Sequence, residues 1–187
     1  CFLNYNQNIK IIISVHKNYK AHLEGLIEKF ELKNKDIAIT FGGETRFDSV
    51  KNGLPLINDN TAVVGIHDSA RPFVSLETIK NCYETALLKG NAVPCISINE
   101  SMRKISNNVN NSVNRNEFKI VQTPQCFLVE KIKKAFEQNY MSVFTDDAAV
   151  FESIGENIVL IEGNEENIKI TSPFDLLIAG ALLAQQN

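Results

Sequence analysis

Short β-branched runs along this chain alternate with longer stretches in which apolar residues recur at helical spacing. Ile9–Val15 reads as a strand. Tyr19–Leu32 places Leu23, Leu26, Ile27 and Phe30 on one face of a helix. Ile37–Phe41 is a second strand, and Gly42-Gly43 punctuates its end. Arg46–Ile57 follows as a helix broken near Pro55. Ala62–His67 is a third strand. Ser75 caps a helix over Leu76–Lys89, with Glu77 favoured in the first turn by the helix dipole. Ala92–Ile98 is a fourth strand. This rhythm predicts an α/β fold: a mostly parallel sheet with helices on both faces.

The rhythm breaks over residues 99–121. Six asparagines lie between Asn107 and Asn116. The stretch reads either as a floppy loop or as a two-stranded arm, Met102–Ile105 going out and Phe118–Val121 coming back. Arms of this kind suit packing on a second subunit. Beyond it, Leu128–Tyr140 and Asp146–Ile154 read as helices, the second stopped by a left-handed Gly155. Asn157–Ile161 and Asn167–Ile170 read as strands. Ser172-Pro173-Phe174-Asp175 opens a last helix, with serine at the cap, proline first and aspartate third. No repeat and no second domain is visible. Cys1-Phe2-Leu3 looks like the tail of a helix, which predicts a chain whose first segment lies outside these residues.

The 187 residues suffice for one domain with a real core. A net charge of −3 argues against a general nucleic-acid binder but leaves room for a nucleotide pocket. No apolar run reaches the roughly 18 residues that span a bilayer, and no signal peptide is visible. Cys1, Cys82, Cys95 and Cys126 form no C-x-x-C pair, and His16, His22 and His67 form no metal-binding spacing. Free cysteines fit a reducing cytoplasm.

The chemistry concentrates at strand ends. Asp68 and Arg71 follow the third strand directly, where open α/β sheets place their ligand crevice. Asp68 can hold a hard cation such as Mg²⁺, and Arg71 can fork onto a phosphate. The same two residues also read as an ion pair tying down a loop. Gly42-Gly43-Glu44-Thr45-Arg46 joins a strand to a helix that carries Ser49 in its first turns; it is neither G-x-G-x-x-G nor a P-loop, and a tight turn without ligand explains it too. His67 closes a strand and reads as structural. Gln122-Thr123-Pro124-Gln125 is polar between apolar flanks, so its side chains need partners in the protein or a ligand. Thr145-Asp146-Asp147 reads locally as a plain helix cap. Lys169 alternates with Asn167 onto one strand face and needs an acidic partner or an anionic ligand.

Taken in order, the motifs are G-G-E-T-R-F-D-S-V at 42–50, H-D-S-A-R-P at 67–72, V-N-R-N at 113–116, Q-T-P-Q at 122–125, T-D-D-A at 145–148 and E-N-I-K-I-T at 166–171. The series resembles the 2-C-methyl-D-erythritol 4-phosphate cytidylyltransferase family from about residue 9 to residue 183. The resemblance implies a Rossmann-like nucleotidyltransferase fold, a homodimer through an exchanged β-arm at 99–121, and transfer of a cytidylyl group from CTP to a polyol phosphate with Mg²⁺. It implies that Asp68 binds the metal. Gly42, Gly43, Glu44, Ser49 and Asp68 would meet the nucleotide. Ser69, Arg71, Ser101, Arg115, Thr123, Thr145 and Lys169 would meet the second substrate, and Lys169, Arg115 and Asp68 would be catalytic. Ser101 stands where the family commonly has threonine, which keeps the hydroxyl. The family also opens with a strand, a Gly-rich loop and a basic helix start that cradle the triphosphate, and residues 1–187 contain none of these. Residues 1–187 alone are therefore expected to be inactive or very weak.

Rival readings are a ribitol-5-phosphate cytidylyltransferase on the same fold, a non-catalytic nucleotide-binding protein, and a metal-dependent phosphohydrolase using Asp68. The stretch Arg46–Val50 and the Thr145-Asp146-Asp147 start favour the methylerythritol family over the ribitol one.

Overall fold

The computed structural model describes residues 1–185. Its elements run α1 (Phe2–Tyr5), β1 (Ile11–Val15), α2 (Lys20–Lys29), β2 (Ile37–Phe41), α3 (Arg46–Gly53), β3 (Val63–Ile66), α4 (Leu76–Lys89), β4 (Asn91–Ser97), β5 (Arg103–Ser106), β6 (Val109–Ser112), β7 (Lys119–Val121), β8 (Gln125–Leu128), α5 (Val129–Ala135), α6 (Asp147–Glu152), β9 (Leu160–Glu162) and α7 (Pro173–Gln185). No helix among the described residues is long and apolar enough to cross a membrane.

β8 lies between β3 and β4 and runs antiparallel to both. β3 and β4 therefore run the same way, and β9 lies parallel to β4. β7 adds antiparallel to the far end of β4. β1 and β2 form a separate parallel pair, with Ile11 opposite Ile37 and Val15 opposite Phe41. The strand directions are thus mostly parallel, with β7 and β8 reversed.

Side-chain alternation sends neighbouring residues to opposite faces of a strand. Cys126 of β8 and Ala92 of β4 pack under Cys82 and Ala86 of α4. Their neighbours Phe127 and Val93 turn to the other face, where they meet Ile132 and Phe136 of the α5 region and Val150 and Phe151 of α6. Phe47 ties α3 into this second layer: its ring stacks 4.7 Å from Phe136 and 5.8 Å from Phe144. The start of α3 is thereby fixed against the helices that precede and form α6.

Several expectations are corrected. Phe118–Val121 does not return the arm, because β7 pairs with β4. The return strand is β6, joined to β5 through Asn107-Asn108, both at positive φ (49° and 64°). Asparagine tolerates that left-handed region, which suits the two-residue hairpin turns. The helix expected from Leu128 is preceded by β8 and ends at Ala135. Asn167–Ile170 is not a strand: Ile170 donates one backbone hydrogen bond to Ala70, and Asn167 is buried while Lys169 is exposed.

Candidate functional site

Asp68 leaves the end of β3 as the hub of the site. Its backbone N–H donates to Thr123 Oγ1 at 3.0 Å. Its carboxylate, 13 % exposed, meets three cations from separate parts of the chain. Arg46 Nε stands 3.1 Å from Oδ1. Lys169 Nζ stands 3.0 Å from Oδ2, and Arg71 Nε 3.6 Å from the same oxygen. Burial pushes the Asp68 carboxyl up, but the Lys169 hydrogen bond and the Arg46 and Lys169 charges together hold it below the usual carboxylate range.

Arg71 also donates to the backbone carbonyl of Asn167 at 2.7 Å, which anchors the loop that presents Lys169. His67 braces the Asp68–Arg71 loop from behind. Its Nε2 lies 2.9 Å from the Arg71 carbonyl and its Nδ1 lies 3.0 Å from Thr123 Oγ1. A carbonyl only accepts, so Nε2 carries the proton and Nδ1 accepts from the threonine hydroxyl. Burial lowers the His67 pKa, against the Arg71 carbonyl and Asp68, which favours this neutral form. The structural expectation for His67 holds. The Thr123 hydroxyl is consequently committed within the protein, accepting from Asp68 N–H and donating to His67.

The Gly42-Gly43 turn sits at the end of β2. Gly43 N–H donates to Ser49 Oγ at 3.1 Å, and that hydroxyl donates to the Thr45 carbonyl at 3.0 Å. Thr45 and Asp48 form a reciprocal capping box at the start of α3. Glu44 is exposed at the turn. Ser69 is exposed on the Asp68 loop, and Thr145 is exposed just before Asp146, the residue that caps α6.

Sequence reasoning missed two residues. Asp147, read as part of a plain cap, is 1 % exposed and takes the Arg46 guanidinium in a fork, with contacts of 2.9 and 2.7 Å. Burial raises the Asp147 carboxyl and the Arg46 fork opposes that rise; the same fork, with Asp68, outweighs the burial that lowers Arg46 and leaves the guanidinium above its ordinary value. The available signal was an aspartate running straight into Ala148-Ala149-Val150-Phe151: a charge entering an apolar helix needs a partner. The Gln122–Gln125 stretch meets its need inside the protein. Gln122 bonds Asn164, and Gln125 spans Asp146 Oδ2 (2.8 Å) and Ala148 N–H (2.9 Å).

Ser101 and Arg115 are not brought to Asp68. They line a separate polar pocket of about 370 Å³ at the base of the β5–β6 hairpin. A larger apolar groove of about 910 Å³ runs between β1 and β3 and ends at Asp68 and Lys169. β1 pairs only with β2 and β3 only with β8 among the described residues, so both keep an unpaired edge on this groove.

Among the described residues no cluster of three or more His, Cys, Asp or Glu side chains could hold a metal ion by itself. One half-buried carboxylate suits Mg²⁺, which commonly takes one or two carboxylates and fills its remaining positions with substrate phosphates and water.

Residues 1–185 match the family model described as 2-C-methyl-D-erythritol 4-phosphate cytidylyltransferase. A protein of that name from Bacteroides fragilis is 44% identical over 184 residues, covering 97% of this chain and 82% of that protein. One from Azobacteroides pseudotrichonymphae is 40% identical with the same coverage. Among solved structures, the Francisella tularensis enzyme of this name superposes with a TM-score of 0.69 at 32% identity, covering 78% of this chain and 71% of that one. A 4-diphosphocytidyl-2C-methyl-D-erythritol synthase from Anaerococcus prevotii superposes with a TM-score of 0.83 at 25% identity, over 94% and 78%.

Proposed function

Because the chain belongs to the 2-C-methyl-D-erythritol 4-phosphate cytidylyltransferase family, we propose that it carries that family's reaction, moving a cytidylyl group from CTP to 2-C-methyl-D-erythritol 4-phosphate. A phosphate oxygen of the polyol attacks the α-phosphorus of CTP. The bond from that phosphorus to the bridging oxygen breaks, and pyrophosphate leaves. Both reactants are anions, so positioning and charge neutralisation carry the catalysis. The observation that carries this reading is the convergence of Arg46, Arg71 and Lys169 on one strand-end carboxylate.

Lys169 is 45 % exposed, and Asp68 is its only partner among the described residues. It can pass from Asp68 to the attacking phosphate. Arg71 offers a second cation to the polyol phosphate, with Ser69 exposed on the same loop and Thr145 exposed two residues before Asp147, the partner of Arg46, as hydroxyl donors. Thr123 serves the polyol site indirectly, by holding the Asp68 backbone. Gly42, Gly43, Glu44 and Ser49 form the turn assigned to the cytosine and ribose. Mg²⁺ would be held by Asp68 together with substrate phosphates, and would supply charge neutralisation there.

Ser101 and Arg115 act across a homodimer in this reading. Their pocket is separate from Asp68 within one chain, and the hairpin beside it exposes Ile105 and Val109, apolar side chains that a partner would cover. The unpaired edges of β1 and β3 leave the apolar groove between them open to one further strand. With it the chain forms a single nucleotidyltransferase domain. The free cysteines suit a cytoplasmic setting.

Mixed dimers of the full-length protein test the site. Arg115→Ala and Lys169→Ala subunits should each be nearly inactive alone. Random exchange gives heterodimers with one intact site, restoring roughly a quarter of parental turnover. No restoration on mixing would refute the shared site. Lys169→Ala should lower kcat by a factor of about 10²–10³ with the fold intact by circular dichroism; parental turnover would remove Lys169 from the mechanism.

A further inference from the structure

We propose that Arg46 and Asp147 are a pair of positioning residues that set the orientation of the Asp68 carboxylate for the transfer; the inference rests on the function proposed above.

The three cations at Asp68 are held differently. Lys169 reaches Oδ2 from a half-exposed side chain with no other partner among the described residues. Arg71 lies farther off, at 3.6 Å. Arg71 is also held by one bond to the Asn167 carbonyl, whereas Arg46 alone is held by a two-point fork from a buried carboxylate. Each of the Arg46 terminal nitrogens gives an N–H to one oxygen of Asp147, and Nε donates to Asp68 Oδ1. A two-point fork fixes the plane of a guanidinium as well as its place. One contact at Nε then fixes one carboxylate oxygen.

Both ends of this link are seated in rigid structure. On one side, Phe47 follows Arg46 directly and is buried against Phe136 and Phe144. On the other, Asp147 opens α6, whose start is bonded to β8 through Gln125. Asp68 itself stands on a loop. The link therefore transfers the order of the core to the Asp68 carboxylate.

Charge separates this role from phosphate binding. Arg46 and Asp147 neutralise one another and add no net positive charge for a substrate. Lys169 and Arg71 supply that charge. Once Lys169 moves to a phosphate, Oδ2 keeps only the longer Arg71 contact at 3.6 Å, while Oδ1 stays with Arg46. The link thus leaves Asp68 oriented and half open, which a purely structural ion pair would have no need to do.

The test uses the full-length protein carrying Asp147→Asn, Arg46→Gln, both together, and Asp68→Asn with and without Asp147→Asn. Asp147→Asn is expected to lower kcat about tenfold or more, with the KM for CTP held within about threefold. The neutral double variant, Arg46→Gln with Asp147→Asn, removes the unpaired buried charge, so it should melt above the single variants. Its kcat should stay low, because the fork is gone. Turnover that returns together with the melting temperature would overturn the inference in favour of a structural pair. Adding Asp147→Asn to Asp68→Asn should cost nothing further; a full second loss would place the action of Asp147 elsewhere. A crystal structure of the Asp147→Asn variant gives a readout independent of activity. The Asp68 carboxylate should be turned or spread over two orientations, and a carboxylate left in its parental place overturns the inference. If the parent transfers no cytidylyl group at all, the proposed function falls, and the position of Asp68 in that crystal still decides the geometry.

Discussion

Replacing Gly43 by alanine should unfold the turn that feeds α3, whereas the same change at Gly25 should stabilise the protein. A Cβ on Gly43 would stand 2.2 Å from Asp48 Cβ and 3.2 Å from the Asp48 carbonyl carbon. Non-bonded carbons rest about 3.5–4.0 Å apart, so the turn is short by about 1.5 Å. The obstructing atom is attached to the helix backbone and cannot swing aside. The turn must open instead, which strains the Gly43 N–H bond to Ser49 and the Thr45–Asp48 capping box. A lost cap costs about 1 kcal/mol and a hydrogen bond about another. With residual strain the total is about 2–4 kcal/mol. Gly25 lies inside α2 with nothing within 4 Å of its would-be Cβ, so alanine there should gain up to about 1 kcal/mol of helix propensity. Urea unfolding of the two full-length variants beside the parent measures both shifts. A Gly43→Ala midpoint at or above that of the parent would refute the steric reasoning.

Phe47→Ala should cost about 3–5 kcal/mol, because it empties the stack on Phe136 and Phe144; a thermal melt checks it, and a loss below about 1 kcal/mol would mean the cluster collapses without strain. Ser75→Ala should cost about 1 kcal/mol through loss of the cap on Thr78 N–H, read from the urea midpoint. Asp68 has a folded pKa below its unfolded value of about 3.9. Its stabilisation is therefore complete above that value and drains away as pH falls through the lower folded one. The stability gap between parent and Asp68→Asn should close in acid; a gap that widens there would reverse the sign.

What the sequence disclosed was local chemistry. Helix α4 runs from Leu76 to Lys89 as its pattern predicts, from the Ser75 cap to a left-handed Gly90. The helix from Arg46 breaks ahead of Pro55, and Gly155 adopts φ 87°. These features depend on residues within one or two turns of one another. Strand partners do not. β6 is polar and exposed, so no alternation marks Val109–Ser112 as the returning strand, and the apolar Phe118–Val121 reads as the hairpin's return although β7 pairs with β4. β8 is short and follows a proline, and only its place between β3 and β4 makes it a strand. The site divides likewise. Asp68 and Arg71 read as chemistry at a strand end and Lys169 as a cation in need of an anion, and the fold brings the three together. Arg46 and Asp147 meet across 101 positions, a pairing that no local pattern records. The Gln122–Gln125 stretch reads as needing partners in the protein or a ligand, and only three-dimensional context gives Thr123 the Asp68 N–H and His67.

The most direct measurement is pyrophosphate release by the full-length protein with CTP and Mg²⁺, supplied separately with 2-C-methyl-D-erythritol 4-phosphate and with ribitol 5-phosphate. Release with the methylerythritol phosphate and not with the ribitol phosphate is the predicted result. Release with ribitol phosphate alone, or with neither, would contradict the proposed reaction.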